Sequence, residues 1–137
     1  MFEKRMIEFR EGLLTTGIKL ALITDEDSVY YLVGHYDYLH MEFGRPTVLV
    51  VPVDGDTLLI TPTIDLNTAT EHAKVDRISP WNDGMGSGWR KELSSIVNGA
   101  GKVGIELGHM PQLVRSYVDE LVGQKNITTV TPILSEM

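Results

Sequence analysis

Residues 47–61 read TVLVVPVDGDTLLIT, two apolar runs on either side of Asp54-Gly55. Asp-Gly between two such runs is a strong signal for a β-hairpin, because glycine accepts the positive φ that tight hairpin turns require. The pattern therefore predicts two antiparallel strands, at 47–53 and 57–61, joined by a turn around Gly55.

Outward from this hairpin, helical and strand patterns alternate. Apolar residues recur at helical spacing near the N-terminus, and short continuous apolar runs indicate strands that are buried on both faces. The predicted elements are helices at 2–15, 29–33, 64–73, 89–97 and 111–122, and strands at 19–24, 47–53, 57–61, 75–79, 102–107 and 127–131. This order predicts an α/β fold, a three-layer α/β/α sandwich around a mixed, mostly parallel sheet of five to six strands that includes one antiparallel hairpin.

The composition limits the classes of function. A chain of 137 residues fits one domain, and its formal charge of −7, from 19 acidic against 12 basic residues, argues against broad affinity for nucleic acid. The absence of cysteine excludes disulfides, thiolate zinc sites and a thiol nucleophile. No run approaches the roughly 20 apolar residues that span a bilayer, and no secretory signal is evident. We therefore expect a cytoplasmic protein that binds neither nucleic acid nor membrane.

Several catalytic patterns fail on spacing. Gly84, Gly86 and Gly88 lack the spacing of a dinucleotide-binding loop, and no serine lies in a GxSxG turn. His72 and His109 are more typical of solvated or capping histidines than of a catalytic base. The residues therefore predict no catalytic centre in this chain.

The polar, aromatic segment HYDYLHMEFGR at 35–45 is the best candidate for function, because long loops rich in such groups are commonly binding loops. It could hold a metal, contact a ligand, or cover a sheet edge or subunit interface. The possible metal ligands match no standard motif, so we expect no metal here; they are His35, Asp37, His40 and Glu42. The residues alone leave the other two interpretations open.

The order of several motifs resembles a known family. They are, with similar gaps, Leu22-Ile-Thr-Asp25, Val29-Tyr-Tyr-Leu-Val-Gly34, Phe43-Gly-Arg-Pro46, the hairpin around Asp54-Gly55, Lys102-Val-Gly-Ile-Glu106 and Val130-Thr-Pro-Ile133. Together they resemble the N-terminal domain of the creatinase, prolidase and aminopeptidase P family across essentially the whole chain. That resemblance implies a ribonuclease-H-like topology.

The same resemblance implies a larger protein. Members of the family carry a second, pita-bread domain, expected after residue 137, that holds the catalytic site. In the metallopeptidase branch it binds two divalent metals (Mn, Co or Zn) through two Asp, one His and two Glu. The cap-like Ser135 and Glu136 near the end of the chain agree with such a continuation. The parent would be an Xaa-Pro dipeptidase or aminopeptidase, or a creatinase-like amidinohydrolase.

For residues 1–137 the resemblance implies a non-catalytic role. The domain would support a homodimer and reach over the partner's active site. Phe43 would pack on a small peptide or amide substrate and Arg45 would pair with its carboxylate, with His35, Tyr36 and His40 as further lining. The alternative is a free-standing α/β module that uses the same loop to bind a small molecule.

Overall fold

The computed structural model describes residues 1–36, 46–82 and 88–137. Within these ranges the predicted elements occur in the predicted order, with one short helix added at 131–135. Ser135 and Glu136 therefore lie at the end of a helix and not at the start of one, as the sequence pattern had indicated. The helices are α1 (Phe2–Thr16), α2 (Glu26–Val33), α3 (Leu66–His72), α4 (Gly88–Val97), α5 (Gln112–Val122) and α6 (Thr131–Ser135). The strands are β1 (Leu20–Ile23), β2 (Val48–Pro52), β3 (Leu58–Pro62), β4 (Arg77–Trp81), β5 (Val103–Ile105) and β6 (Ile127–Thr129).

The strands form one six-stranded sheet in the order β4-β3-β2-β1-β5-β6. β2 pairs antiparallel with β3, which confirms the hairpin, and Leu49 lies opposite Leu59. β2 also pairs antiparallel with β1, a second antiparallel contact that the sequence pattern did not predict. The remaining three pairings are parallel. β2 is therefore antiparallel to the other five strands. The predicted mixed, mostly parallel sheet is confirmed.

Two of the boundaries that differ from prediction have clear local causes. α2 begins three residues earlier than the pattern indicated, because the side chain of Asp25 caps it by accepting a hydrogen bond from the backbone of Ser28. The strand predicted at 75–79 lies instead at Arg77–Trp81. Asp76 is held outside that strand by reciprocal hydrogen bonds with Thr57, at 2.9 and 3.0 Å.

Each face of the sheet carries its own hydrophobic core, because alternate side chains of a strand point to opposite faces. On one face, β1 residues Leu20 and Leu22 pack with buried residues of α4 and α5. On the other, Ala21 and Ile23 pack with buried residues of α1, α2 and α3, and α6 packs beside them. The three-layer α/β/α architecture is thus confirmed, with β1 at its centre.

Candidate functional site

The carboxyl ends of β1 and β5 form the position at which open α/β sheets most often bind ligands. The two strands are parallel neighbours. The chain leaves β1 into α2, on the core face of α1, and leaves β5 into α5, on the opposite face. Connections that depart to opposite faces open a crevice beyond the strand ends. Residues that directly follow these two strands are therefore candidates for a site.

A polar cluster occupies this position, which we call the strand-end cluster; it comprises Thr24, Asp25, Ser28, Glu106 and His109. The Ser28 hydroxyl lies 2.8 Å from Oε2 of Glu106 and 3.2 Å from Oδ2 of Asp25. Nδ1 of His109 lies 3.8 Å from Oδ1 of Asp25. The Thr24 hydroxyl donates a 3.1 Å hydrogen bond to the carbonyl of His109. The cluster thus joins β1, the first turn of α2 and the segment after β5.

Glu106 is the buried member of the cluster, with only 6% of its surface exposed. Its Oε1 atom is buried and has no hydrogen-bond partner among the described residues. Burial raises the pKa of the Glu106 carboxyl above its ordinary value of 4.5, and the charge of Asp25 raises it further. The hydrogen bond from Ser28 and the proximity of His109 act in the opposite direction on this pKa. On balance the surroundings of Glu106 therefore favour its protonated form.

The cap that Asp25 provides to α2 can be tested directly. We expect Asp25→Ala to lower the free energy of unfolding by about 0.5–2 kcal/mol, because the first turn of α2 loses the acceptor for the Ser28 backbone N–H. Asp25→Asn is the matched control, since asparagine caps helices about as well as aspartate. Urea unfolding of both variants measures the difference. Equal losses in the two variants would show that charge, and not capping, accounts for the effect of Asp25.

The described ends of the 35–45 segment are anchored to the fold. His35 is buried, with 1% of its surface exposed. The Tyr36 hydroxyl donates to Oδ1 of Asp27 at 3.0 Å, and the Tyr36 ring lies 5.6 Å from that of Tyr30. At the other end, the Pro46 carbonyl accepts a 3.2 Å hydrogen bond from the indole of Trp81. His40, Phe43 and Arg45 lie outside the described residues, so their roles remain predictions.

The structure also shows the surroundings of His72 and tests part of the metal hypothesis. His72 is largely exposed, and its Nε2 lies 3.8 Å from a carboxylate oxygen of Glu71, as expected for a solvated histidine. Residues 1–36, 46–82 and 88–137 contain no group of three or more His, Asp or Glu side chains that could hold a metal. Three of the four possible ligands in the 35–45 segment lie outside those ranges. Among the described helices, none is both long and apolar enough to cross a membrane.

Sequence reasoning missed the role of Glu106 and Ser28. Asp25 and Glu106 each stood in a motif to which the sequence assigned no role, whereas the structure shows Asp25 as the N-cap of α2. The available signal was positional: Asp25 and Glu106 each follow a short buried strand. Once β1 and β5 are neighbours, both carboxylates meet at one edge of the sheet. The contact joins residues 78 positions apart, so no local pattern reveals it.

The fold and this edge define an α/β sandwich with a polar cluster at the ends of two central strands. The sequence profile of the creatinase/prolidase N-terminal domain matches residues 5–137. The chain belongs to that family, as the resemblance predicted. No protein with a curated description matches the chain.

Solved structures share this fold at low sequence identity. The creatinase/prolidase N-terminal domain of an X-Pro dipeptidase from Streptococcus pyogenes superposes with a TM-score of 0.82 at 19% identity, with full coverage of both chains. An aminopeptidase P from Streptococcus thermophilus gives 0.75 at 14% identity, covering 98% of this chain and 96% of that one. The prolidase from Pyrococcus horikoshii gives 0.77 at 16% identity. The match covers 98% of this chain but 34% of that prolidase.

Proposed function

We propose that residues 1–137 act as the non-catalytic N-terminal domain of a creatinase/Xaa-Pro-peptidase-like hydrolase. In this proposal the domain contributes to homodimerisation and helps to enclose a small peptide or amide substrate in the neighbouring subunit's active site. The observation that carries the proposal is the family match over residues 5–137. The dipeptidase and prolidase structures with the same fold support it.

The chain spans only part of the length of some relatives, which supports assigning catalysis to a separate domain. The chain covers 34% of the Pyrococcus horikoshii prolidase and 36% of a dipeptidase from Mycobacterium ulcerans. The remaining two-thirds of such a protein would contain the catalytic residues and, in a metallopeptidase, two divalent metal ions. We assign no ligand of that metal pair to this chain, because its described residues offer no suitable group.

The anchoring of the 35–45 segment supports its proposed role in contacting substrate. Its first residues are held by the buried His35 and by the bond from Tyr36 to Asp27. After the segment, the Thr47 and Thr61 hydroxyls lie 3.0 Å apart in a buried hydrogen bond. A segment fixed at both ends loses less conformational entropy when its middle binds a ligand. Phe43 and Arg45, which lie between these anchors in the chain, would contact the substrate and its carboxylate.

The assignment of catalysis to a separate domain is tested by assaying purified residues 1–137 against Xaa-Pro dipeptides and creatine, with and without Mn²⁺. We expect no hydrolysis by the domain and hydrolysis by the complete protein. Hydrolysis by residues 1–137 alone would overturn the proposal. Translation of the reading frame beyond codon 137 is a second test. A segment with spaced Asp, Asp, His, Glu and Glu supports the proposal, whereas a stop codon favours the free-standing binding module.

Arg45 provides a test of substrate contact. In the complete enzyme we expect Arg45→Ala to lower kcat/KM by about 10- to 150-fold, equivalent to about 1.5–3 kcal/mol, because a charge-assisted hydrogen bond to the substrate carboxylate is lost. Arg77→Ala is the control, since Arg77 is an exposed arginine in β4. Steady-state kinetics on a substrate with and without its carboxylate separates the two arginines. Unchanged kinetics in Arg45→Ala would remove Arg45 from the site.

A further inference from the structure

In the strand-end cluster, the Ser28 hydroxyl lies between the carboxylates of Glu106 and Asp25. Ser28 Oγ lies 2.8 Å from Glu106 Oε2 and 3.2 Å from Asp25 Oδ2. A serine hydroxyl has a single proton and can donate to one of these oxygens at a time, although it can also accept. If both carboxylates are ionised, one of the two short contacts lacks a donor. The geometry is therefore complete only when one carboxyl carries a proton.

Glu106 is the carboxyl that the surroundings favour for this proton. It is 6% exposed, and its Oε1 atom has no hydrogen-bond partner among the described residues. An ionised carboxylate with a buried oxygen left unsatisfied is costly, whereas the neutral acid tolerates the same place better. Asp25, in contrast, accepts the backbone N–H of Ser28 and lies at the N-terminus of α2, where a negative charge is favoured.

We propose that Glu106, Ser28 and Asp25 form a proton-dependent latch between the end of β5 and the first turn of α2. With Glu106 protonated at Oε2, Glu106 donates to Ser28 Oγ and Ser28 donates to Asp25. With Glu106 ionised, the Ser28 hydroxyl turns to Glu106, and Asp25 loses that hydrogen bond and faces a second negative charge. Loss of one proton thus keeps the contact between Ser28 and Glu106, but it removes a side-chain hydrogen bond within the first turn of α2 and sets two negative charges beside each other.

The groups around the latch set the direction of its pH dependence. The charge of Asp25 favours the protonated form of Glu106, and His109 favours the ionised form. Because burial raises the pKa of Glu106 in the folded protein, the folded state keeps the proton to a higher pH than the unfolded state does. Between the unfolded and the folded pKa, the contribution of Glu106 to stability therefore falls as the pH rises.

The latch acts on the start of the 35–45 segment. Asp27, next to Ser28 in the first turn of α2, accepts the hydroxyl of Tyr36. α2 ends at Gly34, whose positive φ of 80° turns the chain directly into His35. A looser first turn of α2 would therefore loosen the support of Tyr36. This consequence for substrate binding rests on the proposed function, whereas the latch itself does not.

The latch can be tested on residues 1–137 with no substrate or second domain, so its failure is distinguishable from failure of the proposed function. NMR titration of the side-chain carboxyl carbons follows Glu106 against the exposed Glu8. Amide hydrogen exchange of Ser28 and Val29 is measured at each pH, as protection factors corrected for the intrinsic rate. Wild type is compared with Glu106→Gln, which resembles the protonated acid, and with Glu8→Gln as a matched loss of charge.

We expect Glu106 to titrate above the ordinary carboxyl value of 4.5, and the protection of Ser28 and Val29 to fall about tenfold as Glu106 ionises. One net hydrogen bond lost from the first turn gives a change of this size. Glu8→Gln should reproduce the fall, whereas Glu106→Gln should abolish it. A Glu106 midpoint at or below 4.5, or an unchanged fall in Glu106→Gln, would overturn the proposal. In Ser28→Ala the protection should no longer follow the ionisation of Glu106.

Discussion

Gly104→Ala is expected to lower the free energy of unfolding by about 1–3 kcal/mol, and Gly104→Val to leave little folded protein, because overpacking a closed core is costly. Gly104 lies at the middle of β5, opposite Ala21 of β1 and Thr128 of β6. A Cβ added there would clash with Cγ1 of Val130 and lie 3.1 Å from Cγ2 of Ile18. Both neighbours are branched and buried, so neither can move away without moving its backbone.

The contact with Val130 provides the control for Gly104. Val130→Ala removes the methyl groups that the new Cβ would meet, at the cost of a cavity in the core. If the clash is the cause, Gly104→Ala should cost less in the Val130→Ala background than in wild type. Urea unfolding of the four proteins gives this coupling energy. Additive effects would show that Gly104 is needed for another reason.

Trp89→Ala is expected to have the largest effect on the opposite face of the sheet, about 3–5 kcal/mol, because a buried aromatic side chain is removed and a cavity remains. Trp89 lies in the first turn of α4 and is 1% exposed. Its ring meets that of Tyr117 in α5 edge to face, with the centroids 5.7 Å apart. The side chain therefore joins α4 to α5 as well as to the sheet.

Tyr117→Phe is the matched control for Trp89→Ala. It keeps the aromatic contact and removes the hydroxyl that donates a 3.1 Å hydrogen bond to the carbonyl of Arg90. We expect a loss of about 0.5–1.5 kcal/mol, the usual net value of one hydrogen bond. Thermal and urea unfolding measure both variants. A loss for Trp89→Ala no greater than that for Tyr117→Phe would contradict the position of Trp89 in the core.

Local signals explain which parts of the fold the sequence predicts. Asp54-Gly55 predicted the β2–β3 hairpin, and the glycines that follow α1 and α2, Gly17 and Gly34, adopt the left-handed conformation that ends a helix. In each case the residues that determine the structure are neighbours in the chain. The order of elements likewise followed from hydrophobic spacing, because each pattern is contained in one helix or strand.

Contacts between distant residues explain what the sequence did not predict. The pairing of β1 with β2 as well as β5 depends on how strands are arranged in the sheet. The bond between Ser28 and Glu106 depends on that arrangement in turn. The close approach of Val130 to Gly104 also joins separate elements. For Phe43 and Arg45, ligand contact is one interpretation of the residues themselves, but only the family resemblance places that contact in another subunit, since no spacing rule identifies a residue that acts there.

The position of β1 in the sheet has a consequence for synthesis of the protein. All four residues of β1 are buried, and one of its neighbours, β2, follows soon after in the chain. Its other neighbour is β5, whose residues 103–105 leave the ribosome much later. Until then the nascent chain exposes the apolar edge of its central strand, the kind of surface that pairs with other chains. We expect ribosome-bound chains that end before residue 103 to be a preferred target of chaperones, and chains that extend past β5 to be released from them.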